Sequence, residues 1–120
     1  MKQRTAAILV TLCILFGGLA TANAQNMYGS LAYNYQTGAW GWAVDYYTQE
    51  DANYAAMEQC GYCEIVLEFW NTCAAFALGS DGAYGWGYDY DPQTAQDYAL
   101  YNCSQYGYNC QIVNWACTTR

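Results

Sequence analysis

The strongest constraint on the fold of this chain is an internal repeat. The segment at 40–46, WGWAVDY, returns at 84–90 as YGWGYDY, an offset of 44 residues. Upstream, 28–32 aligns loosely with 73–77, and downstream CEIV at 63–66 matches CQIV at 110–113. A match that runs through every part of a unit indicates duplication. We therefore expect a single domain over 25–120, made of two copies at about 28–72 and 73–117.

Each copy has the pattern of a ββαβ unit. Alternating residues at 28–34 and 40–46 flank a turn at 36–38, and those at 73–79 and 83–90 flank a turn at 80–82. The first helix is predicted to begin after Thr48, and the second after Asp91, with Pro92 at its first position. Short β-branched and aromatic strands follow at 63–69 and 110–115. The predicted fold class is α+β, an antiparallel-rich sheet with two helices packed on it.

Both helices carry a stripe of small side chains. Its members recur every four residues: Ala52, Ala56 and Cys60 in one helix, and Ala95, Ala99 and Cys103 in the other. Residues four apart lie on the same helix face. We expect this stripe to bring each helix backbone close to the sheet.

The first 24 residues have the pattern of a secretory signal peptide. Lys2 and Arg4 precede an apolar run at 6–16, and small residues end in the A-x-A box at 22–24. The run is shorter than the ~20 residues that cross a bilayer as a helix. We expect cleavage near Gln25 and a product in the periplasm or the medium, without membrane insertion.

Six cysteines follow the predicted cleavage point: Cys60, Cys63, Cys73, Cys103, Cys110 and Cys117. In an exported chain an even set indicates three disulfides. Among the fifteen possible connectivities, the repeat favours Cys60 with Cys63 and Cys103 with Cys110. Cys73 would then pair with Cys117 and link the two copies.

The C-x-x-C spacing at 60–63 has two further interpretations. Thiol oxidoreductases place the reactive cysteine at a helix N-terminus, where the dipole lowers its pKa, whereas Cys60 closes a helix at its C-terminal end. A structural zinc site would need a second C-x-x-C, and 103–110 lacks that spacing. Structural disulfides are therefore favoured over both.

The charge balance excludes several function classes. The chain has ten carboxylates, three basic residues and no histidine. Without the signal peptide only Arg120 opposes the carboxylates, which gives a formal charge of −9. Nucleic-acid binding needs lysine and arginine on phosphates, and a histidine-activated nucleophile is impossible. Such a field would instead attract a basic partner or a cation. The alternative is that the net charge only keeps the protein soluble outside the cell.

The carboxylates do not form a known catalytic or metal pattern. Glu64 and Glu68 are expected on one face of a strand and ~13 Å apart, which is wide for a glycosidase pair. Asp81, Asp89 and Asp91 lie near glycines but lack EF-hand spacing, so turn and capping roles are favoured over calcium binding. We expect no catalytic residues, no metal site and no cofactor.

Aromatic residues are too numerous for a core of this size. Fourteen tyrosines and five tryptophans all follow the predicted signal peptide. Exposed Tyr and Trp side chains form binding patches on proteins and sugars. The candidate binding residues are Trp40, Trp42, Trp86, Tyr46, Tyr84, Tyr88 and Tyr90. Strand alternation assigns about half of them to the core instead.

The repeat units also resemble a known family. The paired glycine-tryptophan strands, the alanine-stripe helices, the cysteine after each helix and the N-x-C-A-A junction at 71–75 are similar to the secreted bacterial family called domain of unknown function 4189. The resemblance spans nearly all of 25–120. It implies export and a disulfide-bearing α+β domain. The family has no settled activity, so no catalytic residue is implied.

These observations predict a non-enzymatic, exported binding module whose partner is a protein, in one version an inhibitor or immunity-type protein for a basic envelope protein. One alternative is a carbohydrate or cell-surface binding domain with Trp and Tyr platforms. Another is a self-assembling surface protein. A small carboxylate-based hydrolase is the least favoured, because so short a chain rarely forms both a core and a closed cleft.

Overall fold

The computed structural model describes residues 26–118. The predicted signal peptide lies outside this range. The elements are β1 (Tyr28–Tyr33), β2 (Trp40–Tyr46), α1 (Gln49–Glu58), β3 (Glu64–Trp70), β4 (Cys73–Leu78), β5 (Tyr84–Asp89), α2 (Pro92–Ser104) and β6 (Gln111–Cys117), with a 3₁₀ turn (Ser80–Gly82) before β5. The order is the predicted ββαβ unit, twice.

The strands divide into two sheets, one for each copy. The first has the order β2-β1-β3 and the second β5-β4-β6, and all pairs are antiparallel. The α+β class is confirmed. In each copy the strand after the helix pairs with the first strand of its own hairpin, so each unit completes its own sheet.

The core has three layers, which differ in side-chain size. Small residues pack each helix on its own sheet, with Ala52 and Ala56 against β1 and β2, and Ala95 and Ala99 against β4 and β5. Mainly large residues, with one alanine, fill the layer between the two sheets: Leu31, Tyr33, Leu67, Phe69, Ala74 and Phe76. The molecule is therefore two sheets stacked face to face, with a helix on each outer face.

The small-residue stripes bring the helices close to the strands. All four stripe alanines are fully buried. A Cβ on Gly41 would overlap the carbonyl oxygen of Ala56, and one on Gly85 would overlap that of Ala99. The predicted stripe is confirmed. The strand glycines leave the space into which each helix backbone packs.

The predicted helix starts are also confirmed. Thr48 Oγ1 accepts a hydrogen bond from the Asp51 backbone N–H at 3.1 Å. The Asp91 carboxylate accepts one from the Thr94 N–H at 2.9 Å, with Pro92 at the first helical position. Each cap satisfies an N–H group that the helix itself leaves unpaired.

A β-bulge recurs at the same place in both copies. In β3 the register shifts at Val66, between the pairs Leu31↔Leu67 and Ala32↔Ile65. In β6 it shifts at Val113, the equivalent position. The extra residue reverses the side-chain alternation beyond it.

This bulge makes one prediction wrong. Glu64 pairs with Tyr33, whose ring lies in the layer between the sheets, whereas Glu68 pairs with Ser30 on the helix face. The two carboxylates therefore lie on opposite faces of β3, not on one face, because the bulge at Val66 lies between them and reverses the side-chain alternation.

The cysteines form the three pairs that the repeat favours. Cys60 lies opposite Cys63 and Cys103 opposite Cys110, with Cα–Cα distances of 5.6 and 6.1 Å. Cys73 pairs with Cys117 at 3.8 Å. The expected link between the copies is wrong, however. Because β6 pairs with β4, the third disulfide joins two neighbouring strands of the second sheet. Each of the three disulfides therefore lies within one copy.

Candidate functional site

Most of the tyrosines lie at the surface. The exposed aromatic side chains are Tyr35, Tyr46, Tyr47, Tyr54, Tyr62, Trp70, Tyr88, Tyr90, Tyr98, Tyr101, Tyr106, Tyr108 and Trp115. These include eleven of the fourteen tyrosines. The surface is therefore rich in aromatic side chains, as the number of these residues in the sequence led us to expect.

The seven predicted binding residues do not form one patch. Trp40, Trp42, Tyr84 and Trp86 are half-buried and pack against the layer between the sheets. Tyr46, Tyr88 and Tyr90 are exposed. Strand alternation explains why the first four pack between the sheets, because Gly41, Gly85 and Gly87 face the helices and these neighbours face the opposite sheet. Tyr88 shares that face but is exposed near the end of β5.

Trp42 and Trp40 are mainly packing residues. The Trp42 ring lies 5.7 Å from Phe69 between ring centroids, and the Trp40 ring lies 5.8 Å from Phe76 on the other sheet. The Trp42 indole N–H is buried without a hydrogen-bond partner among the described residues. Both rings therefore contribute mainly to the packing between the sheets.

An open cleft lies where the end of β3 approaches the end of β5. It has a volume of about 420 Å³ and is lined by Glu68, Phe69, Trp70, Thr72, Tyr88, Asp89 and Tyr90. We call it the β3–β5 cleft. Trp70, Tyr88 and Tyr90 are 54%, 53% and 85% exposed, so their rings are accessible to a ligand.

The two carboxylates of the β3–β5 cleft are held by hydrogen bonds. Glu68 Oε2 accepts from Asn53 Nδ2 of α1 at 2.7 Å. Asp89 Oδ2 accepts from the Asp91 backbone N–H at 2.9 Å, just before α2 begins. Each contact fixes a carboxylate while the described chain, residues 26–118, has no lysine or arginine to neutralise it.

Such a lining can bind a cation. Aromatic faces attract lysine and arginine side chains by about 0.5–2 kcal/mol, and a carboxylate adds a charge-assisted hydrogen bond. The guanidinium group suits both contacts, because it stacks on rings and donates to carboxylates.

The β3–β5 cleft belongs to both copies, and its lining is not repeated. Equivalent sheet positions hold Val44 in place of Tyr88, and Cys117, in a disulfide, in place of Trp70. In the sequence repeat Asp89 aligns with Asp45, which has φ +64° at a bulge absent from β5, so Tyr46 occupies the sheet position of Asp89. The duplication therefore produces one such site.

Sequence reasoning missed Trp70 and Glu68 as cleft residues. Trp70 lies one residue beyond the predicted strand, and the bulge at Val66 determines which face Glu68 occupies. Their proximity to β5 depends on how the sheets stack, which no local pattern encodes.

A second open cleft lies between β5 and the end of α2. Its volume is about 640 Å³ and its lining includes Asp81, Trp86, Asn102, Gln105 and Tyr106. We call it the β5–α2 cleft. Asn102 Nδ2 donates to the Trp86 carbonyl oxygen at 2.8 Å, and Tyr106 is 80% exposed.

Four titrating groups have shifted pKa values with clear causes, and one of them is Tyr62, whose pKa is raised chiefly by its hydrogen bond with Tyr54. Burial, followed by the hydrogen bond with Tyr35, raises the pKa of Tyr84 above its usual value of 10.0. Burial also raises the pKa of Tyr33. The hydrogen bonds from the Thr94 side chain and backbone lower the pKa of Asp91, as expected of a capping carboxylate.

Two absences hold for residues 26–118. No group of three or more His, Cys, Asp or Glu side chains in this range is placed to share a metal ion. No helix there is long and apolar enough to cross a membrane.

Three comparisons place the chain among known proteins. Protein Rv1269c of Mycobacterium tuberculosis and protein Mb1300c of Mycobacterium bovis are each 40% identical to it over 58 residues. These matches cover 47% of this chain and 45% of the relatives, so the chain aligns with less than half of their length. The NMR structure of Rv1813c from Mycobacterium tuberculosis is 32% identical, with a TM-score of 0.62, over 77% of this chain and 75% of that chain.

The match to a family model is more extensive. It runs from residue 28 to residue 117, from the first residue of β1 to the last residue of β6. All eight strands and helices are therefore included, and the chain belongs to the family described as Domain of unknown function (DUF4189).

Proposed function

We propose that this protein is an exported, non-enzymatic interaction module that binds a basic protein partner through the β3–β5 cleft. The observation that carries the proposal is the lining itself, which combines the rings of Trp70, Tyr88 and Tyr90 with the carboxylates of Glu68 and Asp89. A lysine or arginine side chain of the partner would occupy this cleft, with its cation between the rings and the carboxylates.

Charge supports the same partner chemistry. Residues 26–118 carry ten carboxylates and no lysine or arginine. This field raises the rate of encounter with a basic surface and repels acidic ones. A basic protein of the cell envelope, held by an inhibitor or immunity-type protein, is one partner of this kind.

Export is part of the proposal. The signal-peptide pattern of residues 1–24 supports it, and so do the three disulfides, since such bonds persist in oxidising compartments. We place the protein in the periplasm or the medium.

The test is retention of partners by the oxidised domain 25–120 from envelope and secreted fractions, at low and at physiological salt. The cleft variants are Tyr88→Ala and Asp89→Asn. Asparagine at 89 keeps the oxygen that accepts from Asp91, so the loss is of charge alone. The matched controls are Tyr106→Ala and Asp97→Asn, both exposed and outside the β3–β5 cleft.

We expect a basic protein to be retained at both salts by wild type and by both controls. Each cleft variant should weaken its binding by about 1 kcal/mol, roughly fivefold. Retention that is insensitive to both cleft variants, or an empty result at physiological salt, would contradict the proposal.

A carbohydrate ligand is the second candidate, and the β5–α2 cleft favours it. An exposed tyrosine, a tryptophan and two side-chain amides line it, and this combination of rings and hydrogen-bonding groups suits sugars. Quenching of tryptophan fluorescence by peptidoglycan fragments, reduced in Tyr106→Ala but unchanged in Tyr88→Ala, would support this candidate over the first.

A further inference from the structure

Tyr35 and Tyr84 meet across the boundary between the two copies. Tyr35 follows β1 in the first hairpin, and Tyr84 begins β5 of the second copy. Their hydroxyl oxygens are 2.8 Å apart, and their ring centroids are 5.4 Å apart at an interplanar angle of 65°. Tyr35 is 54% exposed, so the pair can be reached from solvent.

A third tyrosine holds this pair from the inside. The Tyr33 ring is buried, and its centroid lies 4.7 Å from that of Tyr84 and 5.5 Å from that of Tyr35. Its hydroxyl donates to the Gly82 carbonyl oxygen at 3.3 Å, also across the copies. The Tyr35–Tyr84 contact is therefore supported by packing rather than being a chance meeting of mobile side chains.

Among the described side chains, no covalent bond joins the two copies. Each of the three disulfides closes within a single copy. Beyond the continuous backbone, the copies are held by the apolar layer between the sheets and by contacts such as these tyrosines.

We propose that Tyr35 and Tyr84 form a site of oxidative cross-linking, at which a peroxidase with hydrogen peroxide joins the rings as dityrosine and locks the two copies together. Each phenol loses one electron and its hydroxyl proton. The two phenoxyl radicals couple through the ring carbons adjacent to their C–O carbons. Each coupled carbon then loses its hydrogen as a proton while its oxygen gains one, which restores two phenols.

The balance of the reaction is complete. One carbon–carbon bond forms, two ring C–H bonds break, and the two electrons and two protons released reduce one peroxide to two waters. The starting geometry favours this route, because a hydrogen bond between two phenol oxygens also brings the adjacent ring carbons near each other, and the same oxygens remain neighbours in the product. Holding two reacting groups close together in this way raises the rate of their reaction relative to that of separated groups.

Tyr54 and Tyr62 provide an internal comparison. Their hydroxyl oxygens are 3.2 Å apart and their ring centroids 5.8 Å apart, and both rings are exposed. This pair lies within the first copy, between α1 and the segment before β3. A link there would not join the copies, so Tyr54→Phe is a matched control for Tyr35→Phe.

The experiment treats the dilute, disulfide-intact domain with horseradish peroxidase and hydrogen peroxide, isolates the monomer, and follows dityrosine fluorescence. A protease that cuts after glutamate separates the four residues, since Glu50, Glu58, Glu64 and Glu68 lie between them. Mass spectrometry of the reduced digest then identifies a linked peptide by its loss of two hydrogens, and fragmentation locates the bond.

We expect a Tyr35–Tyr84 link in the monomer. Tyr35→Phe should abolish this linked peptide, and Tyr54→Phe should leave it. Oxidation should also raise the urea midpoint of wild type and of Tyr54→Phe but not of Tyr35→Phe. A monomer that contains dityrosine only at other residues, or one that contains none while cross-linked oligomers form, would overturn the proposal.

Discussion

Tyr84 shows what burial does to a single residue of this chain. Its phenol lies half-buried between the sheets, and desolvation and the Tyr35 hydroxyl keep its pKa above 10.0. Tyr33, on the same face, is shifted in the same direction. In the unfolded chain both phenols would ionise near their usual pKa. The free energy of unfolding therefore changes with pH in the alkaline range.

The sign follows from that difference. The contribution of both phenols to stability is complete below pH about 10 and is lost as pH rises through their folded pKa values. We expect the free energy of unfolding in urea to fall above pH about 10. Tyr84→Phe should make the fall shallower, whereas Tyr106→Phe, at an exposed position, should not. Equal slopes in both variants would contradict this assignment.

Gly41 carries a different constraint at the residue scale, because the α1 backbone occupies the space of its missing side chain. A Cβ there would overlap the Ala56 carbonyl oxygen, so α1 must move away from β2. We expect Gly41→Ala to lower the free energy of unfolding by about 1–3 kcal/mol. Gln111→Ala, at an exposed strand position, serves as control, and equal stability of the two variants would contradict the close packing.

At the scale of elements, each helix also covers the edge of a sheet. The side-chain amide of Gln59 accepts a hydrogen bond from the backbone N–H of Trp42 at 3.1 Å and donates one to the backbone carbonyl oxygen of Trp42 at 2.8 Å. Asn102 donates to Trp86 in the second copy. These amides act as a neighbouring strand would, and such protection blocks pairing with other chains.

Gln59→Ala should therefore expose the Trp42 amide. We expect its hydrogen exchange, followed by NMR, to accelerate about fivefold, because a net hydrogen bond contributes about 1 kcal/mol. Gln59→Glu keeps an acceptor for the N–H and should show a smaller effect. Unchanged exchange in Gln59→Ala would show that the contact does not protect this edge.

A ring pair in one sheet stands where the other sheet has a disulfide. Tyr28 pairs with Trp70, as Cys73 pairs with Cys117 at the equivalent place, and the two rings are 6.3 Å apart. The backbone geometry of that place already accepts a cystine in the second copy.

Replacing both ring residues, as Tyr28→Cys with Trp70→Cys, should therefore create a fourth disulfide. A thiol assay on the denatured, unreduced domain 25–120 should find no free thiol. Each single cysteine variant should show one. Two free thiols in the double variant would contradict the structural equivalence of the copies.

At the scale of the whole molecule, local signals predicted the units but not their assembly. The caps at Thr48 and Asp91 and the alanine stripes depend on residues close in sequence, so they could be predicted directly. The repeat could be predicted as well, because comparing the sequence with itself reveals it. The division into two sheets depends on which strand the segment 64–70 pairs with, and the bulge at Val66 leaves no local mark. Both are long-range outcomes.

The candidate site was predicted least well for the same reason. Tyr88 and Tyr90 were among the predicted binding residues, but Trp70 and Glu68 meet them only because the two sheets stack. Trp40 and Trp42 were expected at a binding surface, and their strand phase turns them into the layer between the sheets instead.

The central claim is that one cleft, made by both copies, receives a cationic side chain. The most direct test is an NMR titration of the isotope-labelled domain with a short arginine-rich peptide at physiological salt. The account predicts saturable shifts of the Trp70 indole N–H and of the Tyr88 and Asp89 amides, weakened in Asp89→Asn and absent at Tyr106. Shifts spread evenly over the acidic surface, or none at Trp70 and Tyr88, would contradict it.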